Sequence, residues 1–248
     1  MLKEERHRRI LELLAAEGRV VAAELEAVLG VSGYTVRRDL DELADARRLQ
    51  RVHGGALARS PVSATYEGRS TQALPGKLAV ARAAAKLLEP GATAIVDGGS
   101  TALALADAIA PGHTGTFVTH SPPVAAALAG RPGCEVVVIG GTLEPRAMVA
   151  TGARTVEGYR GIAADVLFLG VWALHAEHGI SGGYFEESEV RRALLDRADR
   201  VVGLVSKEKL GTVAPFPVGP ATALTHLATD APADATAPFA ELGIAMAS

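Results

Sequence analysis

The feature that most restricts the fold is a change of hydrophobic period near residue 75. Beyond it, short apolar runs recur at residues 93–97, 116–119, 136–139, 166–169, 201–205 and 224–228, most of them separated by segments of helical length. Short strands alternating with helices specify βαβ units, and these specify a mainly parallel sheet with helices on both faces. The first helix of the series is expected over residues 77–88, stopped by Pro90-Gly91. Hydrophobic residues make up 48% of the chain and aromatics only 4%, so the core must be packed with Ala, Val and Leu. There is no fixed-period repeat, and the tail after Asp230 is rich in Ala and Pro.

Before residue 60 the pattern is helical. Ile10, Leu11, Leu13 and Leu14 give one apolar face ended by Gly18, and Leu25, Val28 and Leu29 a second ended by Gly30. Ser32 stands at the N-cap of a third helix, whose buried face is Val36, Leu40 and Leu43 at i, i+4, i+7. Residues 49–53 alternate and run into Gly54-Gly55, which predicts a hairpin. A short polar stretch with Pro61 follows, so the chain divides into a first unit at 1–58, a linker at 59–75 and an α/β unit at 76–248.

Helix, short helix, tight turn, helix and hairpin is the order of a winged helix-turn-helix, whose second motif helix enters the major groove. With Val36, Leu40 and Leu43 inward, Tyr34 and Arg38 point away from the core and Thr35 and Arg37 lie on the shoulders. Arginine's planar fork suits a guanine edge or a phosphate, and hydroxyls suit phosphate oxygens. Arg47, Arg48 and Arg51 add charge near the hairpin. The net charge of −3 argues against nucleic acid, but residues 1–58 hold ten basic and ten acidic residues, so the whole deficit lies downstream. The pattern also allows these arginines to pair with Asp39, Asp41, Glu42 and Asp45 on a solvated helix.

Longer motifs narrow the choice. Val31-Ser32-Gly33-Tyr34-Thr35-Val36-Arg37-Arg38-Asp39-Leu40, followed by Arg51-Val52-His53-Gly54-Gly55-Ala56, resembles the signature of the DeoR family of bacterial transcriptional regulators. The resemblance implies a winged helix that binds double-stranded operator DNA through Ser32, Tyr34, Thr35, Arg37 and Arg38, with Arg51 and His53 at the wing. Asp39 and Leu40 would brace the helix.

In open parallel sheets ligands bind outside the carboxyl ends of the strands. Asp97-Gly98-Gly99-Ser100-Thr101 follows one predicted strand and opens a helix, so its N–H groups and hydroxyls suit a phosphate. A short Gly-rich turn alone is weak, because tight turns need Gly for steric reasons. Thr119-His120-Ser121, Gly140-Gly141-Thr142, Gly170, Lys209 and Asp230 fall on the same edge. The DeoR resemblance extends here through Lys77-x-x-Val80-Ala81 and Asp97-x-Gly99-Ser100-Thr101. It implies a sensor domain similar to ribose-5-phosphate isomerase, with a phosphorylated sugar as effector. Gly99, Ser100 and Thr101 would hold phosphate, Asp97 would meet a hydroxyl or order the loop, and Lys209 would supply charge. His120, Trp172-Ala173 and Ser206 depart from the family's usual Asn, Asp-Gly and Asp. His120 can donate to a phosphate and Trp172 can stack on a sugar or fill space.

Other signals point to structure. His175 and His178 lack a further fixed ligand pair, so no metal site is expected, and Glu186, Glu187, Glu189, Arg191 and Arg192 suit a helix macrodipole. The single Cys134 excludes an intrachain disulfide and reads as a small buried hydrophobe. No catalytic motif and no cofactor fingerprint is present. A charged start and the lack of a run of ~18 apolar residues predict a cytoplasmic protein with no membrane segment. The expectation is therefore a non-enzymatic regulator, a repressor of carbohydrate-metabolism genes acting as a homo-oligomer. Its rivals are a sugar-phosphate isomerase-like enzyme, with Asp97 or Asp230 catalytic, fused to a DNA-binding head, and a regulator that has lost its ligand.

Overall fold

The structure, a computed structural model, describes residues 1–247. Three helices, α1 (Lys3–Glu17), α2 (Ala22–Leu29) and α3 (Gly33–Asp45), open the chain, with strand β1 (Arg19–Val21) between the first two. A hairpin of β2 (Gln50–Val52) and β3 (Gly55–Arg59) follows. Ile10, Leu14, Leu25, Leu29, Val36, Leu40 and Leu43 meet Leu49 and Ala56 in one core, which is the helical spacing realised as packing. Val28, expected on the same face by spacing, is exposed, whereas Leu25 and Leu29 are buried in the core. β1 pairs antiparallel with β3; three residues are too few to show an alternation, so the strand was not legible.

Residues 59–75, expected as a linker, are not a bare tether. They carry helix α4 (Tyr66–Thr71) and lie as a strap on the second unit. Thr65 caps α4 by accepting from Gly68 N, and Gln72 ties the strap to itself through Ser63 N and Pro61 O. Ser60 Oγ donates to Trp172 O at 2.7 Å.

The second unit begins with α5 (Leu74–Ala85), then β4 (Thr93–Val96), α6 (Ser100–Ala108), β5 (Gly115–Thr119), α7 (Pro122–Ala129) and β6 (Cys134–Val138). A small hairpin, β7 (Thr142–Glu144) with β8 (Val149–Thr151), leads to α8 (Ala153–Tyr159), β9 (Ala164–Gly170), β10 (Ala173–His175), β11 (Gly179–Gly182) and α9 (Phe185–Leu194). The chain closes with β12 (Ala198–Leu204), β13 (Thr212–Val213), β14 (Phe216–Gly219), β15 (His226–Ala228), α10 (Ala233–Glu241) and β16 (Ala245–Ala247).

Seven strands form one parallel sheet in the order β16-β15-β12-β9-β4-β5-β6. The period of two sorts each strand between two cores: Ile95, Leu167 and Leu169 face Tyr159, Val190 and Phe239, whereas Ala94, Val96, Val166 and Phe168 face Val80, Leu105 and Val124. β16 lies in the Ala- and Pro-rich tail, where nothing in the composition marks a strand. From β4 the chain adds strands on one side and, from β9, on the other. That switch point opens a crevice at the carboxyl ends of β4 and β9. β13 leaves this unit to pair in parallel with β3, so the wing sheet takes a strand from each unit.

Candidate functional site

Two surfaces carry chemistry, and the first is the outer face of α3. Ser32 Oγ accepts from Thr35 N at 3.4 Å and lies 3.1 Å from Thr35 Oγ1, so both hydroxyls shape the start of the helix. Tyr34, Arg37 and Arg38 are exposed there, and His53 is exposed in the hairpin turn. Arg38 Nε donates to Glu42 Oε1 at 3.2 Å, an exposed pair that a DNA phosphate can replace at little cost. Asp39 is 2% exposed and accepts from Arg6 Nε and Nη2 at 2.6 and 2.9 Å, so it fastens α1 to α3. Arg51 is a different case from its neighbours. Its Nε donates to Asp41 at 2.8 Å and its Nη1 to Gly55 O at 2.7 Å, which braces the hairpin against α3.

The second surface is the crevice. Its lining includes Val62, Arg69, Gly98, Gly99, Ser100, Thr101, Trp172, Glu187, Arg191 and Lys209, around a cavity of about 30 Å³. That holds about one water molecule, so a sugar phosphate enters only if the roof moves. The strap supplies the roof, through Val62 and Arg69. Arg69 Nη1 donates to Ser63 O and Ala64 O, its Nη2 donates to Arg146 O, and its guanidinium lies 4.9 Å from the ring centroid of Trp172. Trp172 also meets Tyr184 edge-on at 5.5 Å, and its ring lies where a side chain on Gly183 would stand. It fills space at the rim.

α6 starts without a side-chain cap, after Gly99 at φ 100°, so its first N–H groups face the cavity. A Cβ on Gly98 would lie 2.0 Å from Val149 Cγ1, so this turn accepts only glycine there. Beneath it lies Asp97, with no exposed surface. Asp97 Oδ1 accepts from Gly98 N at 2.6 Å, and Oδ2 accepts from Gly170 N at 2.9 Å and Arg191 Nε at 2.8 Å. Asp97 therefore orders the loop, and it is not among the residues that line the cavity.

His120, expected among the effector ligands, is not among the residues that line the cavity either. It is buried below the loop, where Nδ1 and the Tyr159 hydroxyl hydrogen-bond at 2.9 Å and Nε2 lies 3.4 Å from Asp97. Burial pushes its pKa down to about 4 despite Asp97, so the ring is neutral at pH 7. Lys209 does line the cavity, donating from Nζ to Val171 O at 2.8 Å. Burial, reinforced by Lys77, Arg191 and Arg69, lowers its pKa to about 7 against the pull of Glu208.

Arg69, Lys77, Glu187 and Arg191 were missed as site residues. Lys77 donates to Arg69 O and, at 2.6 Å, to Gln72 O, holding the strap. Glu187 and Arg191 form an i,i+4 pair on α9 that was legible, but nothing local says that its helix face is dry. Burial raises the pKa of Glu187, opposed by Arg191. The charged residues lining the crevice are three bases, Arg69, Arg191 and Lys209, and one carboxylate, Glu187, with Asp97 buried against Arg191 beneath them. A surplus of buried positive charge beside an uncapped helix start suits an anion. His175 and His178 lie beside the β10–β11 turn, away from this cluster, and the one metal-capable group among the described residues, His7, Asp39 and Glu42, is already engaged by Arg6 and Lys3.

A helix-turn-helix unit strapped to a parallel α/β unit with a crevice at its switch point defines a two-part protein of the helix-turn-helix class. The DeoR-like helix-turn-helix domain matches residues 6–62 and the DeoR C terminal sensor domain residues 72–231. The HTH-type transcriptional regulator GlpR of Haloferax volcanii is 36% identical over 85% of this chain and 83% of its own. The glycerol-3-phosphate regulon repressor of Escherichia coli is 29% identical over 94% of this chain and 92% of its own. Ribose 5-phosphate isomerase A of Methanocaldococcus jannaschii aligns at a TM-score of 0.40 and 17% identity, over 54% of this chain and 52% of its own. The chain belongs to the DeoR family of transcriptional regulators.

Proposed function

We propose that the protein is a cytoplasmic, non-enzymatic repressor of carbohydrate-metabolism genes, released from its operator when a phosphorylated sugar enters the crevice. Residues 1–58 are the DNA-reading head, 59–75 the strap and 76–248 the sensor. Tyr34, Arg37 and Arg38 reach base edges and phosphates, with His53 at the wing tip, while Ser32, Thr35 and Arg51 hold the reading surface in shape. One head covers a small footprint, so a homo-oligomer places two heads on half-sites in phase. Relatives named for the repression of the glycerol-3-phosphate regulon and the aga operon support a sugar-related effector.

The observation that carries this reading is the strap. The segment that roofs the cavity is continuous with β3 of the wing, and the cavity is too small for a ligand while the roof is down. A ligand that requires the strap to lift prefers one arrangement of head and sensor over the other, which is the condition for coupling. Fluorescence anisotropy on the DNA upstream of the protein's own gene tests both halves. Arg38→Ala should weaken specific binding tenfold or more, and binding should fall steeply with salt. Sugar phosphates should raise the melting temperature of the full chain and release the DNA, and Lys209→Ala should blunt both. Unchanged operator affinity in Arg38→Ala removes α3 as the reading helix. No response to any sugar phosphate assigns ligand-independent repression, and turnover of one assigns an enzyme.

A further inference from the structure

Two buried polar atoms of the crevice have no hydrogen-bond partner among the described residues: Arg191 Nη1 and Glu187 Oε2. They belong to one ion pair, in which Arg191 Nη2 lies 2.8 Å from Glu187 Oε1. The two residues are 5% and 2% exposed and both line the cavity that Gly99, Ser100 and Thr101 also line. The pair cannot slide, because Arg191 Nε is committed to Asp97 Oδ2, and Asp97 is committed in turn to two backbone N–H groups. A buried donor and a buried acceptor of one ion pair are thus left unpaired on two residues that line the cavity, and each unmade bond there is costly.

The chemistry of the missing partner follows from the two atoms. A phosphate oxygen accepts from Arg191 but is repelled by the Glu187 carboxylate. An alkyl group satisfies neither. A hydroxyl accepts and donates through one oxygen, so it satisfies both. The negative group of the same ligand then belongs at the start of α6, an uncapped helix start whose Ser100 and Thr101 line the cavity.

We infer that Glu187 and Arg191 are the specificity pair of the sensor, reading a free hydroxyl on a phosphate monoester and rejecting phosphates that lack one. This rests on the proposal that the crevice binds a phosphorylated ligand. Sites that pair with a ligand hydroxyl reject the deoxy analogue strongly, because both buried groups are then left unpaired.

Isothermal titration of the full chain with glycerol 3-phosphate and n-propyl phosphate isolates the effect, since the two have the same carbon skeleton and differ only in hydroxyls. Glycerol 3-phosphate should bind at least tenfold tighter. In Glu187→Gln the amide oxygen stays on Arg191 and the NH₂ turns to the cavity, so the preference should fall at least fivefold. n-Propyl phosphate should bind that variant more tightly, a negative charge having been removed. Glu187→Asp, which withdraws the carboxylate by one methylene, should also lower the preference and serves if the Gln variant fails to fold, as judged by its melting without ligand. Equal binding of the two phosphates to the unaltered chain, or a preference that survives both substitutions, overturns the hydroxyl assignment and leaves the phosphate crevice standing. Failure of both compounds and of inorganic phosphate to bind removes the crevice reading and this inference with it.

Discussion

On α3, Arg38 lies 3.2 Å from Glu42 with most of its side chain in water, whereas on α9, Arg191 lies 2.8 Å from both Asp97 and Glu187 and is 5% exposed. Both helices carry an i,i+4 ion pair, and the solvent around each pair decides what it does. The exposed pair is worth about 0.3–0.5 kcal/mol and is screened by salt, so its arginine is free to change partners. Breaking the buried pair strands a charge and is worth about 3–5 kcal/mol, so its arginine is a fixed part of a binding surface. The head presents charges that are free to change partners. The sensor holds its charges in fixed places.

Three experiments bear on that contrast. The largest effect should come from Asp97→Asn, which leaves Arg191 without its full counter-charge and weakens the hold on Gly170 N; urea unfolding should show a loss of about 3 kcal/mol or more. The matching change in the head, Glu42→Gln, should cost far less. Equal losses would erase the distinction drawn between the two surfaces.

A second effect belongs to the sensor alone. His120 has a folded pKa of about 4 against an ordinary value of 6.5, so below pH 6.5 the unfolded chain takes up a proton that the folded chain refuses. The stability this represents is intact above pH 6.5 and is lost as pH falls toward 4, up to about 3 kcal/mol. In His120→Asn the fall in urea midpoint between pH 6.5 and 4 should be much shallower. An undiminished slope would place the acid sensitivity on other groups. A comparably small effect should be in the head, where Ser32→Ala removes a long capping bond and should lower stability by at most about 1 kcal/mol, read by amide exchange along α3.

How far the sequence reached depended on the range of the forces involved. Ser32 at the start of α3, the Val36, Leu40, Leu43 face and the apolar runs of the sheet were all legible, because each is a matter of neighbours within one or two turns or one strand. The Gly99-Ser100-Thr101 loop was legible for the same reason, as was Lys209 at the edge of the sheet. Arg69 was hidden inside a stretch whose composition reads as linker, and its burial depends on Arg146, 77 residues away. His120 lies on that edge, and its ring hydrogen-bonds Tyr159, a partner 39 residues away that no local pattern indicates.

The sequence by itself determined a helix-turn-helix head, a parallel sheet behind it and the polar edge along which a ligand would lie, because hydrophobic period and turn chemistry act locally. Only the tertiary structure decided which charges are dry. It joined Asp97 to Arg191 across 94 residues, turned a linker into the roof of the crevice and left Glu187 and Arg191 with one free atom each. Desolvation is a property of everything packed around a group, and no window of sequence contains those neighbours.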